Sequence, residues 1–136
     1  MMKEDWLYHR GDVYCADLDP AVGSEQGGIR PVVVIQNDIG NKYAPTLIVV
    51  TVTSKIRKKE YMPTHFLIKD NPAFKTASVI QAEQIHTIDK KKVLSYLGKL
   101  TPKEMREVDK SVIISLALNV LKRRSPKKHT QDKERT

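Results

Sequence analysis

Short apolar runs separated by turn-forming residues fill most of the chain. Residues 10–18 (RGDVYCADL) alternate well enough for a strand with one buried face. The continuous apolar run 31–37 (PVVVIQN) and the β-branched run 46–54 (TLIVVTVTS) are both typical of central strands. Further strand-like runs lie at 65–68, 78–88 and 93–100. Their short spacing predicts a compact β-sheet or barrel.

The C-terminal third of the chain changes to a helical period. One helical face would carry Met105, Val108, Val112, Ile113 and Leu116. The residues TPKE at 101–104 match a capping box, with Thr101 as the cap and Pro102 at the first helical position. We therefore predict a helix over 102–121 and an α+β fold that is mainly β. Because Ile114, Leu118 and Val120 widen its apolar surface, the helix should pack on the sheet or on a second copy.

Two polar connections interrupt the predicted strands. The segment 19–28 (DPAVGSEQGG) predicts a long exposed loop, and 38–45 (DIGNKYAP) predicts a turn or a short helix. The glycine-rich loop lacks the Gly-Lys-Ser/Thr ending of a P-loop and the GxGxxG spacing of a dinucleotide fold. These two nucleotide-binding functions are therefore excluded, and the glycines alone indicate an adaptable connector.

The length and charge of the chain bound its organisation. With 136 residues it has room for one domain, which we place at 10–121 after an N-terminal extension, 1–9. The net charge of +8 suggests a polyanionic partner, but residues 122–136 hold seven basic and two acidic residues. That basic tail is expected to be disordered. No apolar run approaches the roughly 20 residues of a membrane span, and the N-terminus does not resemble a secretory signal, so we expect a cytoplasmic protein.

The residues that could carry chemistry give few signals of their own. The lone Cys15 is expected to be a small core residue. The four histidines are too scattered to form a predicted acid–base pair, although His65 and His86 are candidates for a groove or for a buried contact. No spacing typical of zinc or magnesium ligands occurs, so we expect no metal and no cofactor. Arg30 lies between the flexible loop and an apolar strand, where a guanidinium could meet a phosphate or simply form a surface ion pair.

Several segments together resemble one family. They are RGDVY (10–14), ADLDPAVGSEQGGIRPVVVIQND (16–38), TVTSKI (51–56), PTH (63–65) and EQIHTIDK (83–90). In order and spacing they are similar to the MazF family of toxins, close to its Gram-positive form, over about residues 10–120. The resemblance implies a small SH3-like barrel with a long C-terminal helix, a homodimer, and the toxin of a type II toxin–antitoxin system neutralised by a MazE-like antitoxin.

The resemblance also implies an activity and a set of site residues. The family's catalytic arginine and threonine correspond to Arg30 and Thr53. Positions that would bind RNA are Ser24, Glu25, Gln26, Gly27, Asn37, Ser54, Ser78, Glu83 and Gln84. His86 stands where close relatives carry arginine, and Ser54 where they carry a smaller residue.

The implied reaction is metal-independent, sequence-specific cleavage of single-stranded RNA, which would stop translation and growth. Attack by the ribose 2′-hydroxyl would leave a 2′,3′-cyclic phosphate and a 5′-hydroxyl. Arg30 would clamp phosphate, the general base stays open, and a pyrimidine-containing pentamer such as UACAU is the expected target.

Two other functions compete with this interpretation. A toxin of the same fold could poison DNA gyrase by binding it, but that class needs an aromatic C-terminal end, and the only tryptophan here is Trp6. A barrel that binds RNA or antitoxin without cutting is the second, and the presence of Arg30 and Thr53 argues against it. Both alternatives would leave RNA intact.

Overall fold

The apolar runs of the sequence form the strands of one antiparallel sheet in the computed structural model, which describes residues 8–56 and 62–120. The strands are β1 (Asp12–Asp17), β2 (Ile29–Val34), β3 (Thr46–Thr53), β4 (His65–Ile68), β5 (Ser78–Asp89) and β6 (Val93–Lys99). The described residues also form two α-helices, α1 (Asp38–Tyr43) and α2 (Pro102–Leu116), and a 3-10 turn (Lys90–Lys92). The predicted α+β class, mainly β with one long C-terminal helix, is confirmed.

The strand order in the sheet is β4-β5-β3-β2-β1-β6, and every neighbouring pair is antiparallel. Strand β5 is long enough to pair with both β3 and β4. Its pairing with β3 shifts between Val50, opposite Ile85, and Thr51, opposite Gln81. The residues between these partners, 82–84, form a bulge that changes the direction of their side chains.

Both faces of the sheet are covered. Val32 and Val34 lie in one buried cluster with Tyr14 and Leu47, whereas Val33 lies in a second cluster against α2. Alternate residues of a strand point to opposite faces, so β2 needs apolar side chains at consecutive positions. This two-sided burial explains the continuous run PVVVIQN.

The element bounds confirm most of the predicted pattern and correct it at two ends. Strand β2 begins at Ile29, two residues before the predicted start, and ends at Val34. Helix α2 begins as predicted, with both hydrogen bonds of the capping box at Thr101. The prediction that it continues to 121 is wrong: Ala117 adopts a left-handed conformation with φ of 53°, and its N–H bonds to the last turn of the helix.

The described residues include part of the segment predicted as an N-terminal extension. Tyr8 is buried in the first cluster, so the core includes one residue of the segment predicted as an extension. Cys15 is half-buried in β1. The predicted basic tail, 122–136, lies outside the described residues. Within the described ranges, neither helix is long and apolar enough to cross a membrane.

Candidate functional site

Arg30 lies at the start of β2, where the loop from β1 enters the sheet. It is half-buried and pairs with Ala16 of β1. Its Nε donates a hydrogen bond of 2.8 Å to the carbonyl oxygen of Gly27. Among the described residues, its two terminal nitrogens have no hydrogen-bond partner. The guanidinium is therefore anchored at one nitrogen and offers two donors to a ligand.

The strand register predicts that Thr53 lies near Arg30. Strands β2 and β3 pair from Val34 opposite Val49 to Val32 opposite Thr51, and the same register extended by two residues would set Arg30 opposite Thr53. Directly opposite residues of antiparallel strands have Cβ atoms about 5 Å apart. Thr53 is half-buried, and its hydroxyl oxygen accepts a hydrogen bond from the Lys55 N–H. The two predicted catalytic residues, 23 positions apart in the chain, thus lie at the same end of two neighbouring strands.

A buried polar pair lies on β3 and β5, two residues before Thr53. The Thr51 hydroxyl donates to Gln81 Oε1 at 3.0 Å, and both side chains are buried. Because a buried polar group without a partner is costly, this bond fixes the register of β3 against β5 beside Thr53. Ser54, the next residue after Thr53, is exposed.

The bulge of β5 brings further predicted residues toward the loop. Glu83 Oε2 lies 2.8 Å from His65 Nε2, and the His65 side chain is only 2% exposed. Gln84 Oε1 accepts a hydrogen bond of 3.3 Å from the Gln26 N–H. The bulge and the loop are thereby joined, and Glu83, Gln84 and Gln26 lie in one neighbourhood.

The loop between β1 and β2 is held by its own hydrogen bonds. The Leu18 N–H donates to the Gly28 carbonyl, and the Val22 N–H donates to Glu25 Oε1, both at 2.9 Å. Gly28 has φ of 76°, a left-handed conformation that favours glycine. Ser24 and Glu25 are exposed, and Gln26 and Gly27 are partly covered. These predicted RNA-binding positions therefore lie on a loop whose conformation is defined by internal hydrogen bonds.

Other predicted residues lie elsewhere or are engaged. Asn37 follows the opposite end of β2 from Arg30, and its Oδ1 caps α1 by accepting the Gly40 N–H at 2.8 Å. Ser78 is buried, and its hydroxyl donates to the Thr76 carbonyl at 3.0 Å. His86 is half-buried on β5 opposite Val49. Within one protomer, the structure does not bring Asn37 to Arg30.

Two features of the site were not predicted from the sequence. The Thr51–Gln81 bond joins two polar residues, each of which interrupts an apolar strand pattern. A polar residue inside an apolar run is a sequence signal of a buried hydrogen bond. Asp19, which the sequence suggests only as a turn residue, accepts the Gly28 N–H at 2.8 Å.

The chemistry of the site follows from its donors. A guanidinium and a hydroxyl at the same end of neighbouring strands would suit an anionic group with several oxygens, such as a phosphodiester. Across the described ranges, no three His, Cys, Asp or Glu side chains are grouped as a metal site.

Comparisons with known proteins agree with this fold. The chain is 50% identical over 117 residues to the endoribonuclease MazF of Staphylococcus saprophyticus, covering 85% of this chain and 97% of that protein. Crystallised MazF from Deinococcus radiodurans has a similar fold, with a TM-score of 0.73 at 20% identity over 84% of this chain and all of that one. A mycobacterial endoribonuclease solved with its cognate antitoxin gives a TM-score of 0.70 at 24% identity, over 84% of this chain and 99% of that one. Residues 9–116 match the PemK-like, MazF-like toxins of type II toxin–antitoxin systems, and the chain belongs to that family.

Proposed function

We propose that this toxin is an endoribonuclease that cuts single-stranded RNA at a short sequence without a metal ion, with Arg30 and Thr53 at the scissile phosphate. The observation that carries the proposal is the anchored guanidinium of Arg30, which leaves two terminal donors beside the predicted position of Thr53. The 50% identical endoribonuclease MazF supports the activity.

The reaction uses a nucleophile that RNA itself supplies. The ribose 2′-oxygen bonds to the adjacent phosphorus and loses its proton to a base, while the bond from phosphorus to the 5′-oxygen breaks and that oxygen takes up a proton. The products are a 2′,3′-cyclic phosphate and a 5′-hydroxyl. DNA lacks the 2′-hydroxyl and is not cut.

Arg30 and Thr53 stabilise the charge that grows on the phosphate oxygens. The two terminal nitrogens of Arg30 bind these oxygens, and the Thr53 hydroxyl donates a further hydrogen bond. A preorganised donor aimed at such charge contributes about 3 to 4 kcal/mol to transition-state stabilisation. A guanidinium stays protonated at neutral pH and has no acceptor for a further proton, so Arg30 acts as a clamp.

Sequence choice comes from polar side chains near the clamp. Single-stranded RNA exposes unstacked bases whose edges can be read by hydrogen bonds. Glu25, Gln26, Glu83 and Gln84 carry suitable groups and lie on the loop and on the β5 bulge that it contacts. The His65 contact holds the Glu83 carboxylate, an acceptor for the exocyclic amine of cytosine or adenine.

We expect two protein partners, a second copy of the chain and an antitoxin. Apolar side chains are about half exposed at the end of α2 and after it: Ile114, Leu116, Leu118 and Val120. Exposed apolar side chains at the end of a domain favour burial against a second copy of the chain. A MazE-like antitoxin with an acidic segment would cover the basic donors that otherwise bind RNA. The toxin would act in the cytoplasm, where mRNA is translated.

The experiment that tests the activity is cleavage of a long defined RNA in excess EDTA, with the cut sites and end groups mapped. We expect cuts at one recurring short word, with 5′-hydroxyl and 2′,3′-cyclic phosphate ends. Arg30→Ala should abolish them, whereas Arg106→Ala, which removes an exposed arginine of α2, should not. Intact RNA with the native protein, or equal cutting by Arg30→Ala, would contradict the proposal.

A further inference from the structure

Asp19 is tied to Arg30 through a single peptide group. The carboxylate oxygen Oδ1 of Asp19 accepts the Gly28 N–H at 2.8 Å. The carbonyl of the same Gly27–Gly28 peptide accepts the Nε of Arg30, also at 2.8 Å. The N–H and C=O of a trans peptide point in opposite directions, so this peptide lies between an anion and a cation.

The two contacts reinforce each other electrostatically. A negative charge at the N–H end and a positive charge at the C=O end both favour the same orientation of the peptide dipole. Hydrogen bonds to ionised groups are roughly twice as strong as neutral ones, and bonds in a chain polarise one another. Asp19 therefore stabilises the peptide orientation that Arg30 needs.

The surrounding loop holds Asp19 and the peptide in place. The Lys92 ammonium donates to the Asp19 carbonyl at 2.9 Å, and the Asp17 carboxylate accepts the Asp19 N–H at 3.0 Å. A Cβ on Gly27 would lie 2.7 Å from Asp19 Oδ1 and 2.6 Å from Ala21 Cβ. Gly27 thus allows the close approach that the Asp19 contact requires.

We propose that Asp19 is a positioning residue for RNA cleavage, which orients the Arg30 guanidinium through the Gly27–Gly28 peptide. The inference rests on the proposed function of Arg30. Without the Asp19 acceptor the peptide can rotate, the Nε anchor is lost, and the two terminal nitrogens of Arg30 no longer point at the phosphate. Misplacing a catalytic group by about 1 Å can slow an enzyme about a hundredfold.

The test compares Asp19→Leu, which removes the acceptor at similar size, with Asp19→Asn, which keeps an oxygen at Oδ1. Asp109→Leu is the matched control, because the Asp109 carboxylate also accepts an N–H, that of the Arg10 side chain at 3.2 Å, but on α2. With the full chain and the target RNA, we expect Asp19→Leu to lower kcat about a hundredfold with little change in KM. Asp19→Asn, which keeps the oxygen acceptor but loses the charge, should lower kcat much less than Asp19→Leu, and Asp109→Leu should match the native protein.

Two further readouts separate positioning from loss of fold. The NMR signal of the Arg30 Nε–H, assigned by its absence in Arg30→Lys, should move in Asp19→Leu and should move less in Asp19→Asn. Gly27→Ala, which crowds Asp19 Oδ1, should reproduce the loss of kcat even where Asp19→Leu folds poorly. If Arg30→Ala is inactive while folded Asp19→Leu and Gly27→Ala both keep native kcat, the Asp19 inference is wrong and the proposed function stands. If Arg30→Ala cuts RNA normally, the proposed function fails, and this inference fails with it.

Discussion

Replacing Arg30 by lysine separates charge from geometry at the site. Lysine keeps a positive charge but has no Nε and offers one compact ammonium in place of a planar fork. In the native structure the Nε is used by the Gly27 carbonyl, and the two terminal nitrogens supply the donors for phosphate. Arg30→Lys therefore loses the anchor and one of two directed donors.

The expected loss of kcat in Arg30→Lys follows from the number of donors lost. One preorganised donor to developing charge is worth about 3 to 4 kcal/mol, which corresponds to a loss of about 10² to 10³ in kcat. Charge attraction to RNA persists in the variant, so KM should change much less. A loss confined to binding would raise KM with kcat unchanged.

The assay is single- and multiple-turnover cleavage of a short RNA that contains the mapped target word, at fixed salt concentration. Arg106→Lys on α2 is the matched control, since Arg106 is exposed and has no proposed role. Thermal unfolding should give similar Tm values for both variants. Loss of one donor should lower kcat by about 10² or more. If kcat for Arg30→Lys stays within about threefold of native, the bidentate clamp is refuted and the site needs only a positive charge at this position.

Two further predictions concern stability. Thr101→Ala removes the side chain that accepts the Glu104 N–H at 3.1 Å, and should lower the free energy of unfolding by about 1 kcal/mol, whereas Thr101→Ser should restore most of it. Chemical denaturation measures both, and an unchanged midpoint in Thr101→Ala would contradict the capping role. The hydrogen bond from the Arg10 backbone N–H lowers the pKa of Asp38 from its ordinary value of 3.8. Because the folded pKa lies below the unfolded one, the carboxylate stabilises the fold above about pH 4 and loses this effect as pH falls through the lowered pKa. Native protein should therefore be more stable than Asp38→Asn at neutral pH, and the difference should shrink on acidification; a difference that is constant from pH 7 to pH 2 would contradict this.

Local patterns in the sequence were sufficient to predict the six strands and the start of α2. Period-two and continuous apolar runs predicted all six strands of the described chain, because burial on one or both faces of a sheet leaves a direct trace in residue type. The start of α2 was predictable for the same reason, since Thr101 and Glu104 satisfy each other within one turn. The family resemblance then identified Arg30 and Thr53 as candidates.

The end of α2 and the arrangement of the site depended on tertiary structure. The apolar pattern continues beyond Leu116, but periodicity cannot tell which apolar residues are covered, and the helix ends where Ala117 turns left-handed. The expected adjacency of Arg30 and Thr53 depends on the register of β2 against β3, and register is set by packing across the whole sheet. The link from Asp19 to Arg30 arises only when the loop folds back, because sequence patterns record burial and local turns but carry no record of which distant backbone groups meet.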